Sequence, residues 1–173
     1  MHKIVFILGG ARSGKSTFAL EEASRIKGRK AFIATAQAFD DEMRRRIEKH
    51  REERGKEWAT LEEPLHVPEL IRKITGSYDV IVIDCLTLWL SNIMHAEHGI
   101  NEQIEDLIGA LLQEHPSHVF IVSNEVGMGL VPETPLGREY RDNLGAVNRK
   151  VADIATDVYF LAAGIPLKIK ETH

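Results

Sequence analysis

The chain has 173 residues, 43% of them hydrophobic, with 22 Lys and Arg against 26 Asp and Glu and a single cysteine, Cys85. This length buries enough apolar surface to fold without disulfides or a structural metal, so residues 1–173 are expected to form one domain. A net charge of −4 excludes a general attraction to nucleic acid or to an anionic membrane; no run reaches the ~18 apolar residues of a membrane span, and the lone thiol suits a reducing compartment, the cytoplasm. Short apolar, β-branched runs recur at 4–8, 31–34, 80–83, 119–122 and 158–161. Each reads as a buried strand, and 166–169 reads as an added edge strand. Between them lie segments with helical spacing, such as Leu144, Val147, Val151 and Ile154. The alternation predicts an α/β fold with a mostly parallel sheet flanked by helices on both faces, because parallel neighbours need crossovers long enough to hold a helix.

The first strand runs into Gly9-Gly10-Ala11-Arg12-Ser13-Gly14-Lys15-Ser16. This fits G-x-x-x-x-G-K-[ST] in the required context, a strand before it and an apolar-periodic helix (Phe18, Ala19, Ala23, Ile26) after it. Glycines let backbone N–H groups turn inward around phosphate oxygens, the helix N-terminus adds positive potential, and Lys15 is the ammonium for the β- and γ-phosphates. Ser16 is the expected hydroxyl ligand of Mg²⁺. Asp84, ending the 80–83 strand, is the expected second metal-organising group, although an Asp in that place also serves as a helix N-cap. A nucleoside triphosphate with Mg²⁺ is the implied ligand. Asn124-Glu125-Val126-Gly127 stands where a signalling GTPase would carry Asn-Lys-x-Asp, and Cys85 stands where a motor or transport ATPase carries a water-activating Glu. Both departures point to transfer onto an acceptor other than water.

Residues 40–57 hold seven acidic and seven basic side chains. They predict an exposed helix over about 41–54, capped at Asp40 or Asp41 and closed near Gly55. Its narrow seam, Met43 and Ile47, includes His50, with Arg51 and Arg54 within one further turn. A neutral imidazole can attack phosphorus while guanidiniums hold phosphates in line. Spacing alone favours a plainer role, a helix residue packed on a neighbour, with arginines paired to Glu48, Glu52 and Glu53.

Beyond the loop, Ile33-Ala34-Thr35-Ala36, Asp40-Asp41-Glu42-Met43, Arg46-Ile47 with His50-Arg51 and Arg54, Trp58 and Thr60 with Glu62, Asp84-Cys85-Leu86-Thr87, Asn124 through Gly129 and Lys168-Ile169-Lys170 together resemble the bifunctional adenosylcobinamide kinase / adenosylcobinamide-phosphate guanylyltransferase family of cobalamin biosynthesis. The resemblance implies a P-loop NTPase with a RecA-like sheet and two activities on one site. The first is phosphorylation of the aminopropanol hydroxyl of adenosylcobinamide by ATP or GTP. The second is transfer of GMP from GTP onto that phosphate, giving adenosyl-GDP-cobinamide. It implies that His50 carries GMP covalently, with Lys15 as the other catalytic residue. Nucleotide contacts carry over to Gly9, Gly10, Ala11, Arg12, Ser13, Gly14, Lys15, Ser16, Ala34, Thr35, Ala36, Arg51, Glu52, Glu53, Arg54, Glu62 and Asp84, and the assembly to a homotrimer. Glu125 is either a base for the kinase hydroxyl or a carboxylate that orders the 127–129 turn. The competing functions are a plain small-molecule kinase, in which the charged helix is only a lid, and a non-catalytic nucleotide-binding module.

Overall fold

The computed structural model describes residues 2–38 and 41–172, with the backbone alone at Glu42, Met43, Arg46, Lys49, His50 and Glu53. The Asp40 cap and the side chains of Met43, His50 and Glu53 therefore lie outside the described residues. In chain order the elements are β1 (Ile4–Gly9), α1 (Lys15–Ser24), β2 (Lys30–Ala34), α2 (Asp41–Arg54), β3 (Trp58–Glu62), α3 (Val67–Ile74), β4 (Val80–Asp84), α4 (Leu86–His95), α5 (Ile100–Leu112), β5 (His118–Asn124), α6 (Pro135–Ile154), β6 (Asp157–Ala162) and β7 (Ile165–Glu171). The charged helix spans the expected residues. The strand β3 is not foreseen from the sequence: of its five residues only Trp58 is buried, so it carries almost none of the apolar signal that marks the others.

The strands form one sheet in the order β3-β2-β4-β5-β1-β6-β7. All neighbours are parallel except β6 and β7. Side chains alternate between faces along each strand, and both faces of the central strands are buried. Phe6, Ile33, Ile81, Ile83 and Ile121 pack against α3, α4, α5 and α6. Leu144, Val147 and Val151, the predicted apolar face of α6, are part of that layer. On the opposite face Ile7, Phe32, Val82, Phe120 and Val122 pack against Ala19 and Ala23 of α1. The end of α2 joins this second face, where the Arg54 guanidinium carbon lies 3.9 Å from the centroid of Phe32. Among the described residues no helix is long and apolar enough to cross a membrane.

Register places the functional edge. Glu62, Ala34 and Asp84 stand opposite one another across β3, β2 and β4, and Gly9 stands opposite Asn124 across β1 and β5. At the far side the β6–β7 hairpin turns through Ala163 and Gly164 at φ 51° and 81°, and the Gly164 N–H donates to the Ser13 carbonyl at 3.0 Å. The hairpin thus buttresses the loop after β1.

Asp157 anchors the hairpin. It is buried and ion-paired with Lys3 and Lys168, each at 3.1 Å. Burial raises the carboxyl pKa, but the hydrogen bonds from Lys168 and Lys3 outweigh it and the net value is lowered. A folded pKa below the unfolded one contributes stability above the unfolded value of about 3.9, and loses it as pH falls through the folded value. Asp157→Asn is therefore less stable than the wild type at pH 7, and the gap narrows below about pH 4. Urea unfolding at stepped pH reads both.

Candidate functional site

The loop after β1 is shaped by backbone that side chains would obstruct. A Cβ on Gly9 would lie 2.5 Å from the Leu161 carbonyl and 2.7 Å from Ser13 Oγ, so only glycine fits. Arg12 and Gly14 take positive φ, 54° and 88°, and Gly14 opens α1 with no side-chain cap. The first-turn N–H groups of α1 thus receive no cap hydrogen bond from that position and remain donors for an anion. Lys15 is buried at 7% exposure. Its ammonium donates to the Gly10 carbonyl at 2.5 Å and to Ser13 Oγ at 3.4 Å, which curls the loop around the charge. Burial lowers the Lys15 pKa, opposed by Cys85 and Asp84, so the ammonium and Asp84 are within electrostatic reach of each other. Ser16 is exposed one residue along, and Ala11 and Arg12 lie exposed on the outside of the loop.

Asp84 ends β4 half-buried. The residues after it are held by Thr35, which is fully buried. The Thr35 hydroxyl donates to the Cys85 carbonyl and accepts from the Cys85 N–H, both at 2.8 Å, and the Thr35 N–H donates to the Asp84 carbonyl at 3.2 Å. The hydroxyl of Thr35, a residue expected among the nucleotide contacts, is thus engaged in fixing the Asp84–Cys85 backbone. Asn92 secures Thr35 from below, donating to its carbonyl at 2.8 Å and to that of Pro64 at 3.0 Å. Ala34 is buried and its carbonyl accepts from the Glu63 N–H at 3.0 Å; Ala36 is half-buried. Burial, with a contribution from Asp84, pushes the Cys85 thiol up to about 11, so it is neutral at pH 7.

Arg54 is drawn to this same face. It stacks on Phe32 and its Nη2 donates weakly to Thr60 Oγ1 at 3.4 Å. Burial lowers its pKa, Asp84 and Glu62 oppose that shift, and Arg51 adds to it. Its Nε is buried without a hydrogen-bond partner among the described residues. Glu62 is exposed at the end of β3. Arg51 and Glu52 are exposed and line a cleft of about 620 Å³ between α2 and β3 that no residue of the 9–16 loop borders. The structure therefore gathers the loop, Asp84, Ala34 and Arg54 on one face, with Arg51 within electrostatic reach of Arg54 and lining the adjacent cleft with Glu52. The Glu125 carboxylate accepts from the Gly127 N–H, the turn-ordering role of the two expected. Sequence reasoning missed Gly164 as a support, and its only local signal is a turn glycine.

Among the described residues no group of three or more His, Cys, Asp and Glu is placed to hold a metal ion unaided. One hydroxyl and one carboxylate at a phosphate site are the sparse oxygen set that Mg²⁺ accepts when phosphates and water complete its shell.

The family described as cobinamide kinase / cobinamide phosphate guanyltransferase matches residues 5–169. The bifunctional adenosylcobalamin biosynthesis protein CobP of Pseudomonas aeruginosa is 40% identical over 169 residues, covering 95% of this chain and 95% of that protein. The bifunctional adenosylcobalamin biosynthesis protein CobU of Escherichia coli K12 is 38% identical over 185 residues, covering 96% and 99%. Among solved structures, the KaiC-like protein PH0186 from Pyrococcus horikoshii OT3 aligns with a TM-score of 0.55 at 16% identity, over 98% of this chain and 80% of that one. That likeness concerns the fold alone, and it agrees with the expected RecA-like α/β sheet.

The Thr35 clamp has a direct test. Thr35→Val leaves the buried Cys85 N–H unpaired and should cost about 1–3 kcal/mol. Thr35→Ser keeps the hydroxyl and should cost under about 1 kcal/mol, the worth of one buried methyl. Urea unfolding of the two variants separates these outcomes.

Proposed function

Because the chain belongs to the cobinamide kinase / cobinamide phosphate guanyltransferase family, and so is a bifunctional enzyme of cobalamin biosynthesis, we propose that both reactions use the sheet edge formed by residues 9–16, Asp84 and Arg54, with His50 carrying the guanylyl group. The observation that carries this reading is the buried Lys15 ammonium curled inside its loop within electrostatic reach of Asp84. In the kinase step Lys15 and the loop N–H groups hold the β- and γ-phosphates while the aminopropanol hydroxyl attacks the γ-phosphorus. A nucleoside diphosphate leaves.

Guanylyl transfer runs at the α-phosphorus in two displacements. The His50 imidazole forms the P–N bond as pyrophosphate departs; then an oxygen of cobinamide phosphate forms the P–O bond and the imidazole leaves. Two steps keep one polyanion from attacking another directly. Arg54, with its unsatisfied buried Nε, is suited to hold phosphate oxygens through the exchange. Gly9, Gly10, Ala11, Arg12, Ser13, Gly14, Ser16, Ala34, Thr35, Ala36, Arg51, Glu52, Glu53, Glu62 and Asp84 are proposed as the remaining nucleotide contacts. Ser16 and Asp84 would hold Mg²⁺, which when bound neutralises charge on the triphosphate. ATP or GTP serves as phosphoryl donor.

Incubation with GTP labelled at the α-phosphate, followed by isolation under denaturing conditions, is expected to leave an acid-labile, base-stable label on the wild type. His50→Ala takes no label and still phosphorylates cobinamide. A wild type that remains unlabelled removes the covalent route. A homotrimer is proposed as well, supported by the apolar residues Ile165, Leu167 and Ile169 exposed on the edge strand β7. Light scattering should then read three times the chain mass of 19.5 kDa, and a single chain mass would exclude it.

A further inference from the structure

The strand β5 separates β1 from β4, and its last residue is held from three sides. The Asn124 N–H donates to Thr87 Oγ1 of α4 at 2.8 Å. The Asn124 carbonyl accepts from Asn148 Nδ2 of α6 at 3.0 Å, and the next N–H, that of Glu125, donates to the Gly9 carbonyl at 3.0 Å. Both supporting side chains are costly to place. Thr87 and Asn148 are buried, and Asn148 sits on the apolar face of α6 where an unbonded amide is penalised. Thr87 is itself secured, its carbonyl accepting from the Tyr140 hydroxyl at 2.9 Å.

The side chain of Asn124 is treated differently. Among the described residues its amide makes no hydrogen bond. Alternation along β5 puts Phe120 and Val122 on the α1 face, so Asn124 continues on that face. Asp84 pairs with Val122 and Gly9 pairs with Asn124. The amide therefore stands one pleat, about 7 Å, beyond the level of Asp84 and level with the start of the 9–16 loop. Its cross-strand neighbour on β1, Gly9, carries no side chain, which leaves room beside the amide at the sheet edge.

We propose that Asn124 is a catalytic residue of the phosphoryl transfer, its Nδ2 donating to an oxygen of the γ-phosphoryl group as that group passes to the cobinamide hydroxyl. The inference rests on the reading of residues 9–16 as the phosphate cradle. In the step the hydroxyl oxygen bonds to the γ-phosphorus, the bond from the β,γ-bridging oxygen breaks, the nucleoside diphosphate keeps that electron pair, and the hydroxyl proton goes to water. A neutral amide donor stabilises the moving charge without competing with Lys15 for Asp84. Because the Asn124 backbone is fixed, only the rotation of its own side chain is left to bring the amide to the charge as it develops.

The test measures cobinamide phosphorylation by Asn124→Ala and by Asn124→Leu, which fills a similar space with no donor and no charge. In both, kcat is expected to fall by roughly 100-fold, the scale of one lost transition-state donor, while the nucleotide KM and the melting temperature stay near the wild-type values. Wild-type kcat in either variant overturns the assignment. So does a fall matched by a rise in KM or by a lowered melting temperature, which would mark a binding or packing role. Binding of a fluorescent nucleotide to the wild type and to Lys15→Ala, measured alongside, tells the two readings apart. If the wild type does not bind, or Lys15→Ala binds equally well, the cradle reading falls and takes Asn124 with it. If Lys15→Ala loses binding and the Asn124 variants turn over normally, only the Asn124 assignment fails.

Discussion

The parallel register of β2 and β4 is the constraint on which the rest of the molecule depends. Both strands are buried on both faces, so their apolar residues do not by themselves distinguish one register from the next. The register is pinned at the ends by polar groups. At the start of the pair the Arg29 N–H donates to the Asp79 carboxylate at 2.7 Å; at the finish the Thr35 hydroxyl takes both the N–H and the carbonyl of Cys85. A slip of one residue would turn Asp84 from the α1 face to the face covered by four helices, where a carboxylate would be buried among Ile81, Ile83 and their neighbours. The cost of that burial and the loss of two pinned ends act in the same direction. Glu62, Ala34 and Asp84 line up because the alternative registers are penalised at both ends.

The same dependence on distant partners decides what could be read from the chain. The strands at 4–8, 31–34, 80–83, 119–122 and 158–161 are legible because an uninterrupted apolar run has few other uses, and the structure lengthens each by a residue or more. The loop at 9–16 is legible because its chemistry is local: glycines, an ammonium and a helix start within eight residues. The helix over 41–54 is legible from its charges and ends as expected. The strand β3 is not, since Thr60 and Glu62 break its apolar pattern and only pairing with β2 makes it a strand. The work of Thr35 is not legible either, because its partner Cys85 lies 50 residues away. Asn124 appears in sequence only as part of a motif. Its fixed backbone and uncommitted amide follow from Thr87 and Asn148, contributed by two separate helices.

An enzyme with both a kinase and a guanylyltransferase activity has water as its constant competitor. The residue after the carboxylate of β4 is the place from which a base would take a proton from water, and here it is a half-buried thiol pushed up to about 11, unable to serve as a base near pH 7. The nearest carboxylate after β5, Glu125, is engaged with the Gly127 N–H, and Asn124 before it can donate but has no basic oxygen of useful strength. The groups proposed to bind phosphate are thus concentrated at an edge where positions 85, 124 and 125 offer little to activate water. Transfer must then come from the acceptor's own placement, a corrinoid hydroxyl held against phosphorus, and the binding energy of a large substrate is well able to supply that proximity. A weakly basic edge is the physical condition under which a γ-phosphoryl group and a guanylyl group can each wait for the right acceptor rather than be lost to solvent.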